Sequence, residues 1–528
     1  MTVWEHYDRM AETVVERRAV VDQQGTMLTH GELREQAASI GSGFATIGLQ
    51  PGDILGVFLP NRAAWPAVAL GAAYSGIGVL GLNTRFREAE LNHLLGVADV
   101  NTVVVADEFL GIDGPALMAG LDRPVRCVVA ASTADADREP GDPVQLADLA
   151  ATEPTGPVGR ADHPLIGFTT SGTTGFPKIA MHDQRQTLSH LLNVADSFAL
   201  GVDAVSLTPL PLCGAFGYTV GLATLLAGGA VVTHETWDVD DAAAAIDGHG
   251  VTYFSASDDM LLGVLNSDGF DPSGSWRSGG FADFTNAGVD AVTTAEKVSD
   301  GRLRLTGLYG SSEGFALMSS FDPAAPRDDR SRNGGYLVGA DMTVRCCDPE
   351  TGTELPPGEP GELQFRGTNL IAAYLNNPEA SAKAFTEDGW YRSGDLGHVV
   401  EPDERGHQGF VFLARLGDSL RLRGFLCDPA EIENHLERHP AVDLAQVVGV
   451  SRPGVGDVAV GFVRLTAVAD RPVPAEAELL DHCRTGLANY KRPERVVIVE
   501  EFPVTDGPNG VKIRKVELRE RATELLEA

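Results

Sequence analysis

Short runs of β-branched residues alternate with alanine- and leucine-rich helical stretches along the chain. The strand-like runs are Ile54–Phe58, Thr102–Val105, Val125–Ala130 and Ala230–Thr233. Thr29, followed three residues later by Glu32, has the spacing of a capping box and predicts a helix start. Alternation of this kind favours mostly parallel sheets covered by helices on both faces. The pattern therefore predicts an α/β fold.

Two long stretches without charge could be mistaken for membrane spans. Residues 63–84 and 204–233 contain no Asp, Glu, Lys or Arg, and each is long enough to cross a bilayer. The second, however, includes Pro209 and Pro211, and both are rich in glycine. We interpret them as helices and strands inside a large α/β core, because a sheet covered on both faces has no polar side. No membrane span is expected.

The charge balance excludes several classes of partner. Among the 528 residues, 74 are acidic and 41 basic, and the net charge of −33 repels phosphate backbones and anionic membranes. The six cysteines include no CxxC pair and do not form a disulfide framework. The N-terminal residues lack the basic and apolar run of a signal peptide. We expect a cytoplasmic protein that does not bind nucleic acid.

The pattern changes after Gly417. A strand-like run at 420–426 is followed by a helix at 429–438, strands at 445–450 and 458–465, a helix from Pro474 and a strand at 495–499. These ~110 residues have the size of a small domain. We therefore predict an N-terminal domain over residues 1–417 and an α+β C-terminal domain over residues 418–528.

Residues 168–178 read FTTSGTTGFPK and have the composition of a phosphate-binding loop. Gly172 and Gly175 permit tight turns that expose backbone N–H groups. Five hydroxyls and Lys178, one of only six lysines in the chain, add donors and a positive charge. The spacing is not that of a Walker loop. A plain Ser/Thr/Gly linker is the alternative.

The same segment resembles the phosphate loop of the adenylate-forming superfamily, which includes acyl-CoA synthetases, carrier-protein-loading adenylation domains and luciferases. Four more segments resemble that family's motifs in the same order: LYGSSEG (308–314), GWYRSGDLG (389–397), RLGDSLRLRGFLCDPAEIE (415–433) and NGVKIRKVELR (509–519). The resemblance covers nearly the whole chain. It implies a large N-terminal domain of doubly wound sheets with helices plus a distorted β-barrel, and a small mobile α+β C-terminal domain.

The resemblance also implies an acyl-CoA synthetase that uses ATP, Mg²⁺ and coenzyme A. Adenylation brings a carboxylate against a triphosphate, so the site must supply cations and hydrogen-bond donors. By resemblance, Glu313 would ligate Mg²⁺, Asp395 would accept hydrogen bonds from the ribose, and Lys512 would bridge the acyl carboxylate and the α-phosphate. The implied ATP- and AMP-binding residues are Thr170, Ser171, Gly172, Thr173, Thr174, Gly175, Lys178, Asn286, Ala287, Gly288, Tyr309, Gly310, Ser311, Ser312, Asp395 and Arg415.

In this family the C-terminal domain rotates between two half-reactions, which implies a hinge at Gly417 or Asp418. Arg423, Gly424 and Phe425 are implied to contact coenzyme A. The implied partners are a small carboxylic acid or its acyl-adenylate, and CoA rather than an acyl carrier protein. A homodimer is left open.

The segment LPLCGAFGYTVG (210–221) aligns with a region where relatives carry a histidine or aromatic residue that gates the pantetheine tunnel. Gly214 occupies that position here. The resemblance implies an acyl pocket at Gly214, Phe216, Gly217 and Tyr218, and the missing side chain suggests a bulky or long apolar acid. Close packing of backbone around the glycines is the alternative.

Other functions are kept open. The missing gate and Arg421, where relatives often carry lysine, suggest an enzyme that runs mainly the thioesterification half-reaction on a supplied acyl-adenylate. A carrier-protein-loading adenylation enzyme is a second alternative. GSSEG (310–314) also matches the G-x-S-x-G motif of serine hydrolases, with Ser312 as nucleophile. For Asp258 and Asp259, a ligand role and a helix-capping role are both open.

Overall fold

The computed structural model describes residues 1–130, 143–170, 177–284, 287–416, 420–422, 425–427, 429–452, 456–466, 473–487, 491–507 and 510–527. They form two compact units. The first unit comprises residues 1–343, 366–391 and 402–407, and the second comprises residues 344–365, 392–401 and 408–528.

The first unit contains nineteen of the described strands. They are β1 (Arg18–Asp22), β2 (Met27–Thr29), β3 (Ile54–Phe58), β4 (Gly78–Gly81), β5 (Thr102–Ala106), β6 (Glu108–Phe109), β7 (Ile112–Asp113), β8 (Arg126–Ala130), β9 (Val144–Gln145), β10 (Pro164–Thr170), β11 (Lys178–Asp183), β12 (Val205–Thr208), β13 (Ala230–Thr233), β14 (Tyr253–Phe254), β15 (Ala256–Ser257), β16 (Ser278–Ala282), β17 (Arg304–Ser311), β18 (Phe315–Ser320) and β19 (Gly334–Leu337).

Thirteen described helices accompany these strands. They are α1 (Val3–Thr13), α2 (His30–Thr46), α3 (Ala64–Ser75), α4 (Glu88–Val97), α5 (Gly114–Ala119), α6 (Leu146–Ala150), α7 (Gln184–Ser197), α8 (Ala215–Leu226), α9 (Val239–His249), α10 (Asp258–Leu265), α11 (Gly288–Val298), α12 (Arg327–Arg330) and α13 (Pro378–Ala384). Helix α2 begins with the capping box predicted at Thr29 and Glu32, in which each side chain accepts a hydrogen bond from the other residue's backbone N–H.

One sheet of the first unit has the order β11-β10-β4-β3-β5-β8-β9, and its pairings are parallel except between β10 and β11. Strand β5 is buried over its whole length, as expected where helices cover both faces. The chain passes from β3 to β4 on one side and returns to β5 on the other. Such a reversal opens a crevice at the carboxyl ends of the strands.

The other large sheet of the first unit runs β2-β1-β13-β12-β14-β16-β17-β18-β19, with β15 also beside β16. Strands β1, β13, β12, β14, β16 and β17 are parallel, and β18 turns back antiparallel to β17. Here the reversal lies at β12, which has β13 on one side and β14 on the other. The loops after β15, β16 and β17 therefore emerge at one edge, where α/β proteins bind ligands.

The second unit is built from eleven described strands and three described helices. They are β20 (Thr343–Cys347), β21 (Gly361–Arg366), β22 (Tyr391–Val400), β23 (Gly409–Arg415), β24 (Leu420–Leu422), β25 (Phe425–Cys427), β26 (Val442–Arg452), β27 (Gly456–Leu465), β28 (Arg495–Val499), β29 (Val504–Gly507), β30 (Gly510–Ile513), α14 (Pro429–Glu437), α15 (Glu476–Gly486) and α16 (Lys515–Glu527).

Strands β20 to β23 lie side by side in reverse order, β23-β22-β21-β20. A five-stranded sheet follows with the order β25-β24-β27-β26 and β28 beside β27. Strands β29 and β30 form a separate two-stranded hairpin. The strands and helices predicted after residue 420 are present, which confirms the α+β character of this region.

The uncharged stretches lie in the core, as predicted. Helix α3 and helix α8 have no charged residue, and nearly every side chain in them is buried. Over the part of the chain that the structure describes, no helix has both the length and the apolar character needed to cross a membrane. The α/β prediction is confirmed, whereas the predicted boundary at residue 417 lies outside the described residues and stays a prediction.

Candidate active site

Strands β10 and β11 pair antiparallel, and the predicted phosphate loop is the segment that joins them at one end. Thr170 and Lys178 face each other in register at that end. Residues 171–175, which carry the other predicted phosphate contacts, lie outside the described residues. The Oγ1 atom of Thr170 is buried and, among the described residues, has no hydrogen-bond partner. A buried hydroxyl without a partner is costly, and a phosphate oxygen would satisfy it.

Tyr374 connects two predicted site residues. The Nζ atom of Lys178 lies 4.2 Å from the centre of the Tyr374 ring. The Tyr374 hydroxyl donates a hydrogen bond of 2.7 Å to Oε1 of Glu313, and the backbone N–H of Ile371 donates to the carbonyl of Glu313. Sequence analysis missed Tyr374, because no spacing rule relates it to Lys178 or Glu313.

Glu313 fits the role of a magnesium ligand. Its side chain is 8% exposed, and carboxylate oxygen is a preferred ligand of Mg²⁺. Within the described ranges, no group of three or more His, Cys, Asp or Glu residues could hold a metal ion. The usual Mg²⁺ site of nucleotide enzymes uses one or two carboxylates and completes its shell with substrate phosphates and water.

Tyr309, Gly310 and Ser311 end strand β17, and Ser312 lies in the turn that leads to β18. A Cβ atom on Gly310 would lie 2.5 Å from Cα of Ala316, so the two strands approach each other too closely for a side chain. Because the turn joins two antiparallel strands, Ser312 lacks the strand–turn–helix context of a nucleophile elbow. The hydrolase alternative therefore loses its structural support.

Two buried histidines support this turn from below. Nε2 of His182 lies 2.8 Å from the carbonyl oxygen of Ser312, and Nε2 of His190 lies 2.8 Å from that of Ala316. Both rings contact the ring of Phe315, at centroid distances of 4.0 and 5.0 Å. Phe315 has a φ of 66°, a left-handed conformation that is strained for a bulky residue and persists only where the surroundings hold it.

The two histidines are neutral near neutral pH. Burial, which disfavours the charged form, lowers the pKa of His182 to about 3 and that of His190 to about 4. Each Nε2 therefore carries the single ring proton in order to donate to its carbonyl. Sequence analysis did not single out either residue.

The loop after β16 leads into α11 through Ala287 and Gly288, and Asn286 lies outside the described residues. A Cβ atom on Gly288 would lie 2.4 Å from Cε2 of Phe281, so this position requires glycine. Since β16 and β17 are parallel neighbours, Ala287 and Gly288 emerge at the same edge as the end of β17, where Tyr309 lies.

Asp258 ties down this loop. Its carboxylate is fully buried and accepts hydrogen bonds from the backbone N–H groups of Phe284 (3.0 Å) and Ala287 (2.9 Å). The N-cap residue of α10 is Ser257, whereas Asp259 points to solvent. Of the two roles left open, Asp258 does not take the helix-capping one; its buried carboxylate holds the loop of Phe284 and Ala287.

The two glycines of the predicted acyl pocket differ in whether the surrounding backbone requires a glycine. A Cβ atom on Gly217 would lie 2.4 Å from the carbonyl oxygen of Leu210, so close backbone packing accounts for this glycine. Gly214 has φ −103° and ψ 153°, an extended conformation open to any residue. Phe216 and Tyr218 are buried, and Tyr218 packs edge-on against Trp65 and Phe168. The pocket itself stays a prediction.

In the second unit, Asp395 and Arg415 face each other across β22 and β23. Nη1 of Arg415 lies 2.8 Å from Oδ1 of Asp395, whose residue is 3% exposed. The backbone N–H of Asp395 donates to Oγ of Ser393 at 3.0 Å. The structure therefore brings together two residues predicted to bind the nucleotide.

The predicted catalytic lysine lies in the C-terminal hairpin. Lys512 belongs to β30 and is in register with Thr505 of β29. Nearby, Nζ of Lys515 lies 3.1 Å from Oε1 of the buried Glu433. Phe425 begins β25, whereas Gly417, Asp418, Arg423 and Gly424 lie outside the described residues. The hinge and the CoA contacts stay predictions.

In the first unit, the buried carboxylate of Glu313 and the ammonium group of Lys178 are the kinds of group that a Mg²⁺–nucleotide complex needs. Comparison with known proteins agrees. A family model described as AMP-binding enzyme matches residues 7–375, and one described as AMP-binding enzyme C-terminal domain matches residues 431–506. The chain belongs to the AMP-binding enzyme family.

Relatives of known activity extend over almost the full chain. A feruloyl-CoA synthase of Amycolatopsis sp is 31% identical over 94% of this chain and 94% of its own length. A sulfoacetate–CoA ligase of Cupriavidus necator is 29% identical over 94% of this chain and 93% of its own. The crystal structure of ATP-bound MatB from Rhodopseudomonas palustris has a TM-score of 0.83 at 25% identity and covers 99% of this chain and 100% of that one. The chain is accordingly an AMP-forming acid–CoA ligase that uses ATP, Mg²⁺ and coenzyme A.

Proposed function

We propose that this enzyme activates a bulky or long apolar carboxylic acid and transfers it to coenzyme A. In the first half-reaction, the acid's carboxylate attacks the α-phosphorus of ATP, the bond to the bridging oxygen breaks, and pyrophosphate leaves. In the second, the CoA thiolate attacks the acyl carbon and AMP leaves. The observation that carries the proposal is the contact of Glu313 and Lys178 with one residue, Tyr374.

The two half-reactions need different groups. During adenylation, negative charge is concentrated on the triphosphate and on the attacking carboxylate, so cations close to both lower the barrier most. We assign Lys178 and Thr170 to the β- and γ-phosphates and Lys512 to the oxygens shared by the acyl group and the α-phosphate. Mg²⁺, when bound, supplies charge neutralisation beside Glu313. Asp395, with Arg415, would orient the ribose.

The size of the acid is inferred from Gly214. Its extended backbone would accept any side chain, so the conformation does not explain the glycine. Absence of a side chain at this position would leave room for a large acyl group. Gly217 carries no such argument, because its glycine is required by the approach of Leu210. The relatives named above act on acids as different as feruloyl and sulfoacetyl groups, so direct assay must identify the acid.

The same observation favours a second candidate function. If the tunnel for the CoA arm has no gate at Gly214, water or thiol would reach the acyl-adenylate early, and adenylation would be inefficient relative to thioester formation. The enzyme would then act mainly on a supplied acyl-adenylate.

We also place the enzyme in a reducing compartment such as the cytoplasm. The evidence is a set of free thiols at Cys127, Cys213, Cys346, Cys347 and Cys483.

One experiment separates these candidates. A panel of aromatic, branched and long-chain acids is assayed with ATP, Mg²⁺ and CoA, and the corresponding preformed acyl-adenylates are assayed with CoA alone. Release of AMP and pyrophosphate from at least one bulky acid supports the full reaction. Turnover of adenylates without pyrophosphate release from any acid supports the second candidate. Turnover with a carrier protein but not with CoA would contradict both.

A further inference from the structure

The ammonium group of Lys178 is held in a different way from those of the ion-paired lysines. Lys383 and Lys515 form ion pairs with Glu379 and Glu433. Lys178 forms no ion pair with any described residue, and its ammonium group lies instead over the face of the Tyr374 ring. A cation over an aromatic face is held by the ring quadrupole without losing its charge to a counter-ion.

Glu313 is held by the other end of the same ring. The Tyr374 hydroxyl is the one group among the described residues that donates to its carboxylate, through Oε1 at 2.7 Å. A hydrogen bond to a carboxylate is charge-assisted and fixes the side chain, but it does not neutralise the carboxylate. The buried carboxylate of Glu313 is thus oriented by a neutral donor and not by a cation.

Tyr374 therefore stands between a cation and an anion that would otherwise attract each other. Unlike charges in a partly buried site attract strongly, and an ion pair between Lys178 and Glu313 would use the charges needed for phosphate and magnesium. The ring is itself held in place: its residue is 4% exposed, and Tyr374 and Ala180 form a β-bridge that joins its segment to β11. The spacer is built into the fold.

We propose that Tyr374 is a positioning residue that keeps Lys178 and Glu313 apart, so that each is available to Mg·ATP. The hydroxyl orients Glu313 for the metal, and the ring holds Lys178 for the phosphates. This inference rests on the proposed function, because it assumes that Lys178 and Glu313 serve the nucleotide.

The two contacts can be removed separately. Tyr374→Phe removes the hydroxyl but keeps the ring, whereas Tyr374→Leu removes both. Tyr7→Phe is the matched control, because Tyr7 is a fully buried tyrosine whose hydroxyl lies 3.1 Å from Nδ1 of His30. Isothermal titration calorimetry measures the binding of ATP with and without Mg²⁺, and of pyrophosphate in EDTA.

With Tyr374→Phe, the gain in ATP affinity caused by Mg²⁺ should fall roughly three- to tenfold, while metal-free pyrophosphate binding stays within twofold of wild type. With Tyr374→Leu, pyrophosphate binding should weaken about tenfold, because Lys178 now pairs with Glu313. Adding Glu313→Gln to Tyr374→Leu should restore pyrophosphate binding. A purely structural role would give no such rescue.

The outcomes are distinct. Pyrophosphate binding that is unchanged in Tyr374→Leu, or that Glu313→Gln does not restore, overturns the spacer role while the proposed function stands. Equal losses in Tyr7→Phe and Tyr374→Phe would overturn the specific role of the Tyr374 hydroxyl. A wild-type protein that binds no ATP, with or without Mg²⁺, would overturn the proposed function and this inference with it.

Discussion

The turn that carries Glu313 and the hairpin that carries Lys512 are built in opposite ways. The first is supported by contacts distant in sequence: the hydrogen bonds of His182 and His190, the hydroxyl of Tyr374 and the loop near Ile371. The second is a two-stranded hairpin whose strands pair with each other and with no other described strand. An isolated hairpin of two strands is only marginally stable in water.

This difference suggests a division of labour. Groups that bind magnesium and phosphate gain from fixed positions, because preorganised charges need no rearrangement during reaction. We expect a lysine that serves one half-reaction only, as proposed for Lys512, to lie on a small element such as the hairpin of β29 and β30, because such an element is less firmly fixed. The four predictions below test this contrast, beginning with the largest effect.

Replacement of Lys512 by alanine should slow adenylation by a factor on the order of 10²–10³, the usual cost of removing one donor from a site of developing charge. Thioester formation from preformed acyl-adenylate should change less than threefold. Pyrophosphate release reports the first half-reaction, and acyl-CoA formation from acyl-adenylate reports the second. Arg514→Met, which removes a charge from an exposed ion pair with Glu517, is the control for charge loss in the same segment. Equal loss of both half-reactions would show that the role of Lys512 is not specific to adenylation.

The support beneath the Glu313 turn should make stability sensitive to acid. A histidine whose folded pKa is lowered to about 4, such as His190, takes up its proton more readily when unfolded. The contribution of His190 to the free energy of unfolding is therefore fully present above the unfolded pKa of about 6.5. It is lost as the pH falls towards 4, by about 1.4 kcal/mol per pH unit. Between these limits the total is roughly 3 kcal/mol.

His190→Gln keeps a donor for the carbonyl of Ala316 but cannot titrate. Urea unfolding of wild type and variant, measured from pH 7 to pH 4, should show a shallower loss of stability in the variant. His249→Gln is the control, because His249 is less buried than His190 and lies on a different helix, α9. Parallel curves for wild type and His190→Gln would show that the pKa of His190 is the same in the folded and unfolded protein.

Substitution of Asp258 tests the loop that its carboxylate holds in place in the first unit. Asp258→Asn replaces an acceptor by an amide that cannot accept from both Phe284 and Ala287, and it should weaken AMP binding about tenfold, or about 1.4 kcal/mol. Asp259→Asn removes the same charge at an exposed neighbouring position and should change AMP binding less than twofold. Calorimetric titration with AMP measures both. Equal effects would mean that net charge, rather than the loop, matters.

Much of the fold could be predicted from the sequence, because β5, α3 and β28 carry patterns that depend on nearby residues. The residue types of the site were also readable in short motifs around Lys178, Glu313 and Asp395. Tyr374 and His182 were not, since their roles come from contacts across long sequence separations. Asp258 shows the same limit: its acidic character was visible, but its partners lie beyond the reach of a local pattern.

The glycines at 214 and 217 give the smallest and most specific contrast. Gly217→Ala should destabilise the protein by about 1–3 kcal/mol, because the new Cβ would lie 2.4 Å from the carbonyl oxygen of Leu210. Gly214→Phe should fold as well as wild type, because an extended residue at the N-cap of α8 accepts a side chain. Thermal unfolding measures both changes.

If a missing gate leaves the acyl-adenylate open to water, Gly214→Phe should reduce its hydrolysis a few-fold and favour smaller acids. The measurement is AMP release from acyl-adenylate in the absence of CoA, compared among acids of increasing size. A variant that hydrolyses every adenylate as fast as wild type would show that residue 214 does not control access, and that the size of the acid must be set elsewhere in the first unit.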